Sequence, residues 1–302
     1  MRTNRVQNGR AAEVVIIAIL SLVACAAPAG ELQASGQGNE PHAIPIALAD
    51  VDDAVPPVVP GVGCALPVVL QSASDRAREL ASILPQFTAT ERVEHREADK
   101  VGKWRAPQIV TFKYLAELQE IRPGMLKMEE TRDSATSPLV FRARWADFGL
   151  PAIALIFHPY FVDEYNMSCE GLGEWEGRPA WQVHFQQRPD RAARLRAYTV
   201  RNRSFPVRLK GRAWIAADSY QVLHIETDLL EPVPEIRLVK EHLVIDYDPV
   251  RFQEKDVELW LPNIADVYMN YQGRVFHRRH SFTDFLLFSV DVSQKISEPK
   301  LP

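Results

Sequence analysis

From Phe87 onward the chain alternates between apolar and polar residues, stretch after stretch, and this period of two limits what it can fold into. The segments FTATERVEH, QIVTFKYLAEL, MLKMEETR and LVFRARW come first. AWQVHFQQR, LRAYTVRN, VRLKGRAWIAA, YQVLHIETDLL, IRLVKEHLVIDY, VELWLP, ADVYMNY and RVFHRRHSFTDFLLF follow. Successive side chains of a strand point to opposite faces, so such alternation predicts strands with one apolar and one polar side. Trp181, Val183 and Phe185 share a face, with Gln182, His184 and Gln186 on the other. Turn signals punctuate the strands at Arg122-Pro123-Gly124, Glu176-Gly177-Arg178-Pro179, Ala217-Asp218-Ser219 and Gln272-Gly273. No long helical pattern separates the late strands, so neighbours in sequence are expected to pair as antiparallel hairpins.

A sheet with one apolar face must cover it. Only two other pieces are available. SASDRARELASIL offers Ser72, Ser74 and Asp75 as N-caps, then Ala77, Leu80, Ala81 and Leu84 at helical spacing, and is stopped by Pro85. FGLPAIALIFHPYF, Phe148 to Phe161, is almost wholly apolar and reads as a short helix or loop against the sheet. Both are too small to cover ten or more strands. The expected fold class is therefore α+β, mostly β: a large curved antiparallel sheet, an open half-barrel, with the N-terminal helix and the short apolar helix covering its concave face. Candidates for lining an apolar cavity there are Phe148, Leu150, Ile153, Leu155, Ile156, Phe157, Trp181 and Trp214. Each is core by default.

The first residues read as an export signal. Arg2, Arg5 and Arg10 precede the apolar run Val14–Val23, which is too short to span a bilayer. Leu22-Val23-Ala24-Cys25 resembles the lipobox of bacterial lipoproteins, and that resemblance implies cleavage before Cys25 and acylation of its thiol. Cleavage at Ala27-Pro28-Ala29 or a retained anchor helix are the alternatives. Several acyl chains on Cys25 make a stable anchor where one is marginal. Ala26, not aspartate, follows the cysteine, so the inner-membrane retention cue of that resemblance is missing.

The expected organisation is a signal peptide over 1–24, a lipidated N-terminus and flexible Pro/Ala-rich tether over 25–63, one β-rich domain over 64–295 and a disordered tail over 296–302. The tether would reach roughly 35 Å as a flexible chain. With Cys25 lipidated, Cys64 and Cys169 remain as an even pair in an oxidising compartment, either bridged or as two buried free thiols.

A formal net charge of −4 argues against general nucleic-acid binding. No nucleophile elbow, phosphate-binding loop, dinucleotide fingerprint or zinc-protease motif occurs. His277 and His280, three apart on a strand, fall on opposite faces, a poor geometry for one metal. His224 and His242 read as solvated surface residues. No catalytic residue, metal or cofactor is expected. The basic stretch Arg188–Arg212 could meet acidic head groups or an acidic partner. The blander reading has Glu226, Asp228, Glu231 and Glu235 neutralise it across the ladder.

The stretch GRAWIAADSYQVLHIETD, Gly211 to Asp228, with the N-terminal helix and the long run of strands, resembles the lipoprotein carrier and receptor superfamily (LolA/LolB-like, including the RseB-like fold). The resemblance implies an open curved sheet whose concave side holds acyl chains or serves for docking. The lipobox likens the chain to the anchored receptor of that group. The expectation is a non-enzymatic lipoprotein of the cell envelope, exported to the periplasmic face of the outer membrane. It would bind a lipid or lipidated protein and touch the membrane through its N-terminal lipid. An interaction or sensor module with a filled cavity is the alternative, and an unrecognised hydrolase a third.

Overall fold

The computed structural model describes residues 49–83, 86–123, 125–133, 145–253 and 256–287. Cys25, the signal segment and the C-terminal tail lie outside them. Ten strands form one antiparallel sheet: β1 (Gln86–Glu97), β2 (Gln108–Arg122), β3 (Met125–Asp133), β5 (Tyr165–Trp175), β6 (Arg178–Gln187), β9 (Leu209–Ala216), β10 (Val222–Leu229), β11 (Leu238–Phe252), β12 (Val257–Tyr271) and β13 (Arg274–Leu287). Their order is β3-β2-β1-β13-β12-β11-β10-β9-β6-β5. The first strand thus pairs with the last. The sheet stays open, with β3 and β5 at its edges. A small separate sheet joins β4 (Trp145–Phe148), β7 (Ala197–Val200) and β8 (Arg203–Pro206). The predicted curved, mostly β fold is the one observed. β12 joins VELWLP and ADVYMNY into a single strand through Pro262.

One row of paired residues crosses the concave face and defines it. Val183, Ala213, Ile225, Ile245 and Ala265 lie side by side on β6, β9, β10, β11 and β12, all fully buried. The row then meets His280 on β13, Val93 on β1 and Val110 on β2. Two pieces cover the aliphatic part. The one α-helix among the described residues, α1 (Leu66–Ile83), contributes Val69, Ala73 and Ala77, and a 3-10 turn (Ile153–Phe157) is buried at every residue.

The helix begins six residues before the expected Ser72. Pro67 sits in its first turn, where a missing N–H costs nothing. Ser72, Ser74 and Asp75 are therefore interior residues, not caps. Asp75 accepts from Gln71 and Arg78 one turn either side.

The segment expected as free tether is not free from Asp50 on. Its lack of any period left it without an element of its own, but the polar face of the sheet supplies partners. Asp228 accepts the Val51 N–H at 2.8 Å, and Arg212 donates to the Val51 and Ala54 carbonyls. Lys210 pairs with Asp50 and Asp52, and Asp52 also meets His184. Farther along, Gln182 donates to the Pro57 carbonyl and the Val59 N–H to Leu172 of edge strand β5. Residues 50–59 thus strap the convex face from β10 to β5. Cys64 and Cys169 then form a disulfide, with Cα atoms 6.2 Å apart, and α1 continues on the concave side. Of the two readings left open for this pair, the bridge is the one observed.

The polar face is buried where the strap and its own aromatics cover it. His224 and His242, expected to be solvated, are 1 % and 5 % exposed. His224 stacks on Trp175 and bonds Asp246 at 2.6 Å and Glu226 at 3.3 Å; His242 bonds Asp228. Burial pulls the His224 pKa down, but the two carboxylates outweigh it and raise it above the ordinary histidine value.

Candidate functional site

Most of the apolar hollow is filled by the chain itself. Leu150, Ile153, Ile156 and Phe157 have no exposed surface and pack with Val183, Phe185, Ile215 and Ile245. What remains open is a cavity of about 260 Å³ near the β3 edge. Leu118 on β2 and Leu126 and Met128 on β3 form one wall. Gly149, Ala152, Leu155 and Phe161 form the facing wall, and Leu195, Ala197, Thr199 and Ser204 close one side. The volume lies just below the usual range of small-molecule pockets, roughly 300–1,000 Å³.

Two charged groups line it as well. Arg194, lying over the Phe161 ring, is ion-paired with Glu164. Glu130 on β3 accepts the Gly149 N–H at 2.7 Å and pairs with Arg132 at 3.2 Å. Burial pushes its pKa up, and Arg132 and that N–H only partly counter this. Gly149 is required here. Its φ is +90°, and a Cβ would lie 2.0 Å from the Leu195 carbonyl oxygen.

Behind the cavity, the concave side of β1, β3 and β13 carries buried charges beside an apolar cluster of Phe87, Ala89, Ala116 and Phe282. Arg132 donates two hydrogen bonds to Glu91, at 2.6 and 3.0 Å, and His280 Nδ1 lies 2.8 Å from the same carboxylate. Burial would raise the Glu91 pKa, but the Arg132 charge and the His280 ring win and hold it at about 2. Tyr114, fully buried beside them, has its phenol pushed well up by burial. Arg196 makes a second buried pair with Glu241 at 3.2 Å and donates to the Tyr198 hydroxyl.

The proposed cavity residues divide. Leu155 lines the cavity. Leu150, Ile153, Ile156 and Phe157 fill the hollow as core. Trp181 packs at the margin of that core. Trp214 is corrected: it pairs with Gln182 and His224, so strand parity puts it on the convex face against Trp175. The side chain of Phe148 lies outside the described residues. Leu118, Leu126 and Met128 were missed as liners, although MLKMEETR places Leu126 and Met128 on one face by alternation. His277 and His280 do point to opposite faces. His277 bonds Asp266 at 2.6 Å on the convex side.

The basic stretch is neutralised in part, mostly by other acids than expected. Arg208 pairs with Glu231 as foreseen, but Arg212 pairs with Glu170, Lys210 with the strap, and Arg194 and Arg196 with Glu164 and Glu241. Among the described residues, no helix is long and apolar enough to cross a membrane.

No protein-family profile and no curated protein matches the chain. Solved structures do resemble it. One, named as an outer membrane lipoprotein-sorting protein domain from Vibrio parahaemolyticus, has 11 % identity and a TM-score of 0.42, covering 76 % of this chain and 94 % of its own. A LolA superfamily protein from Nitrosomonas europaea has 9 % identity and a TM-score of 0.34, covering 76 % and 96 %. A DUF1329 family protein from Desulfovibrio piger has 12 % identity and a TM-score of 0.37, covering 74 % and 94 %. The second bears the superfamily name that the strand pattern suggested. At such identities and scores, no functional property passes from them to this chain.

Proposed function

We propose that the chain is a non-enzymatic protein of the bacterial cell envelope that takes one apolar chain of a lipid or lipidated protein into the cavity between β2–β3 and residues 149–161. The observation that supports this is the cavity's position. It opens where the aliphatic filling of the concave face ends, with Leu118, Leu126, Met128, Leu155 and Phe161 facing across it. Each methylene moved there from water contributes about 0.8 kcal/mol. Five would offer about 4 kcal/mol before the cost of ordering the ligand. At this volume the cavity holds part of a chain and leaves the head outside. The lipobox at Leu22–Cys25 supports attachment through Cys25 at the periplasmic face of the outer membrane, with residues 26–49 as the spacer.

A second reading has its own support. Leu150, Ile153, Ile156 and Phe157 already fill the greater part of the hollow, as a docking or sensor module would require. Titration with a fluorescent fatty acid decides between them. Saturable binding that Leu126→Trp abolishes, with the fold intact by circular dichroism, is the expected result. Equal binding by both proteins, or none by either, leaves the docking module.

A further inference from the structure

At the end of the molecule beyond the β7–β8 hairpin lies a second, larger cleft of about 830 Å³. Three turns form its rim: the two-residue turn between β7 and β8, the 3-10 turn Pro234–Ile236 before β11, and the turn joining β12 to β13. Each carries arginine into the cleft: Arg201 and Arg203 from the first, Arg237 from the second and Arg274 from the third. The acids lining it are Glu97 and Glu235. Glu97 is engaged by Arg274 at 3.1 Å. Among the described residues, Arg201, Arg203 and Arg237 have no carboxylate partner, and Arg203 lies over the Phe205 ring.

The backbone makes this an arrangement rather than an accident of composition. Arg201 and Arg237 both sit at positive φ, +51° and +57°. Glycine or asparagine adopts that conformation at less cost. Strained non-glycine residues gather at ligand sites because surrounding structure holds them. Here the Gln272 N–H donates to the Arg237 carbonyl at 2.8 Å, tying the second turn to the third. The hairpin also places the two cavities back to back. Thr199 and Ser204 pair and line the apolar cavity, while Val200 and Arg203 pair and line the cleft, as alternation along a strand requires.

We propose that this cleft binds the phosphate-bearing head of a small molecule. Guanidinium forks match phosphate oxygens two at a time. The volume exceeds what a bare ion fills and falls within the range of small-molecule pockets. The phosphate could belong to a lipid head or to a free phosphate compound. The lipid source alone rests on the apolar-chain reading above, since its chain would lie across the hairpin in the first cavity.

Calorimetry on the full chain tests this with three probes: dihexanoyl phosphatidic acid, dihexanoylglycerol and inorganic phosphate. The variant Arg201→Gln/Arg237→Gln lies on exposed turns, and its melting temperature serves as the folding control. The expected result is that the intact protein binds phosphatidic acid about tenfold more tightly than the neutral diglyceride. The variant should reduce that preference to about twofold or less. Phosphatidic acid bound without inorganic phosphate or diglyceride binding, and lost in the variant, still supports the cleft. Inorganic phosphate bound by the intact protein and lost in the variant, with neither lipid bound, upholds the cleft for a free phosphate compound and removes the lipid source. Diglyceride bound equally by both proteins, with no preference for phosphatidic acid and no phosphate binding, upholds the apolar cavity and overturns the cleft. Phosphatidic acid or phosphate binding that the variant leaves unchanged, or no binding of any probe, also overturns it.

Discussion

The concave face has two halves built on different physics. From β6 to β12 the paired row is aliphatic, and the chain's own turn at 153–157 and helix α1 cover it completely. From β13 to β3 the neighbouring positions carry Glu91, His95, Arg132, Arg278 and His280, held by hydrogen bonds and ion pairs, beside an apolar cluster of Phe87, Ala89, Tyr114, Ala116 and Phe282. The aliphatic half gains by excluding everything, so it closes on its own side chains. The charged half carries the desolvation cost of its ions and must keep each one partnered. The 260 Å³ cavity opens along the seam between turn 153–157 and the β3 edge, with Glu130 and Leu155 both in its lining. The cavity stays open here because neither kind of surface fills the boundary by itself.

The largest expected effect tests the closed half. Phe157→Ala removes a fully buried ring and should lower stability by about 3–5 kcal/mol in urea unfolding. If the hollow relaxes open, the same variant should gain capacity for the fluorescent fatty acid. A loss under about 1 kcal/mol would mean that the turn is not the true filling of this half.

The charged half should respond next, and to pH. Glu91→Gln breaks the Arg132 pair and should cost about 3 kcal/mol at neutral pH. The folded pKa of Glu91, about 2, lies below its ordinary 4.5. Its contribution is therefore present above pH 4.5 and lost as pH falls toward 2. Stability curves of the two proteins should converge over that window. His224 on the other face has the opposite sign: its raised pKa contributes fully below 6.5 and fades as pH rises. Parallel curves for Glu91→Gln and the unaltered chain would sink the charge-network account.

The smallest effect should separate the halves by location. Cys64→Ala/Cys169→Ala releases the start of α1, whose Val69, Ala73 and Ala77 lie over the aliphatic half. A loss of about 2 kcal/mol is expected, at the lower end for such bridges. Hydrogen exchange should quicken at Val69–Ala77 and stay unchanged in β1 and β2. Uniform acceleration would show that the halves do not act separately.

Alternation revealed the sheet because each strand's pattern is local. It even placed Glu91 and His95 on the face of Phe87 and Val93 in FTATERVEH. Their partners Arg132 and Arg278 lie far along the chain, so the network could not be read from one segment. β5 escaped notice since YNMSCEGLGEW is broken at Gly171, where the register shifts and Val58 of the strap fills the space of a side chain. The strap stayed hidden for the same reason of distance: Val51 finds Asp228 across 177 positions. The cavity's true walls belong to short stretches on β2 and β3 that look like any half-buried strand.

The strap and its bridge also decide where a mechanical load would go. Tension applied at the leading end of the chain meets the strap's hydrogen bonds first and then the sulfur link to Cys169 in an edge strand of the main sheet. Residues 50–59 can peel away without any of that force reaching α1, so the lid over the aliphatic half stays shut while the body is tugged.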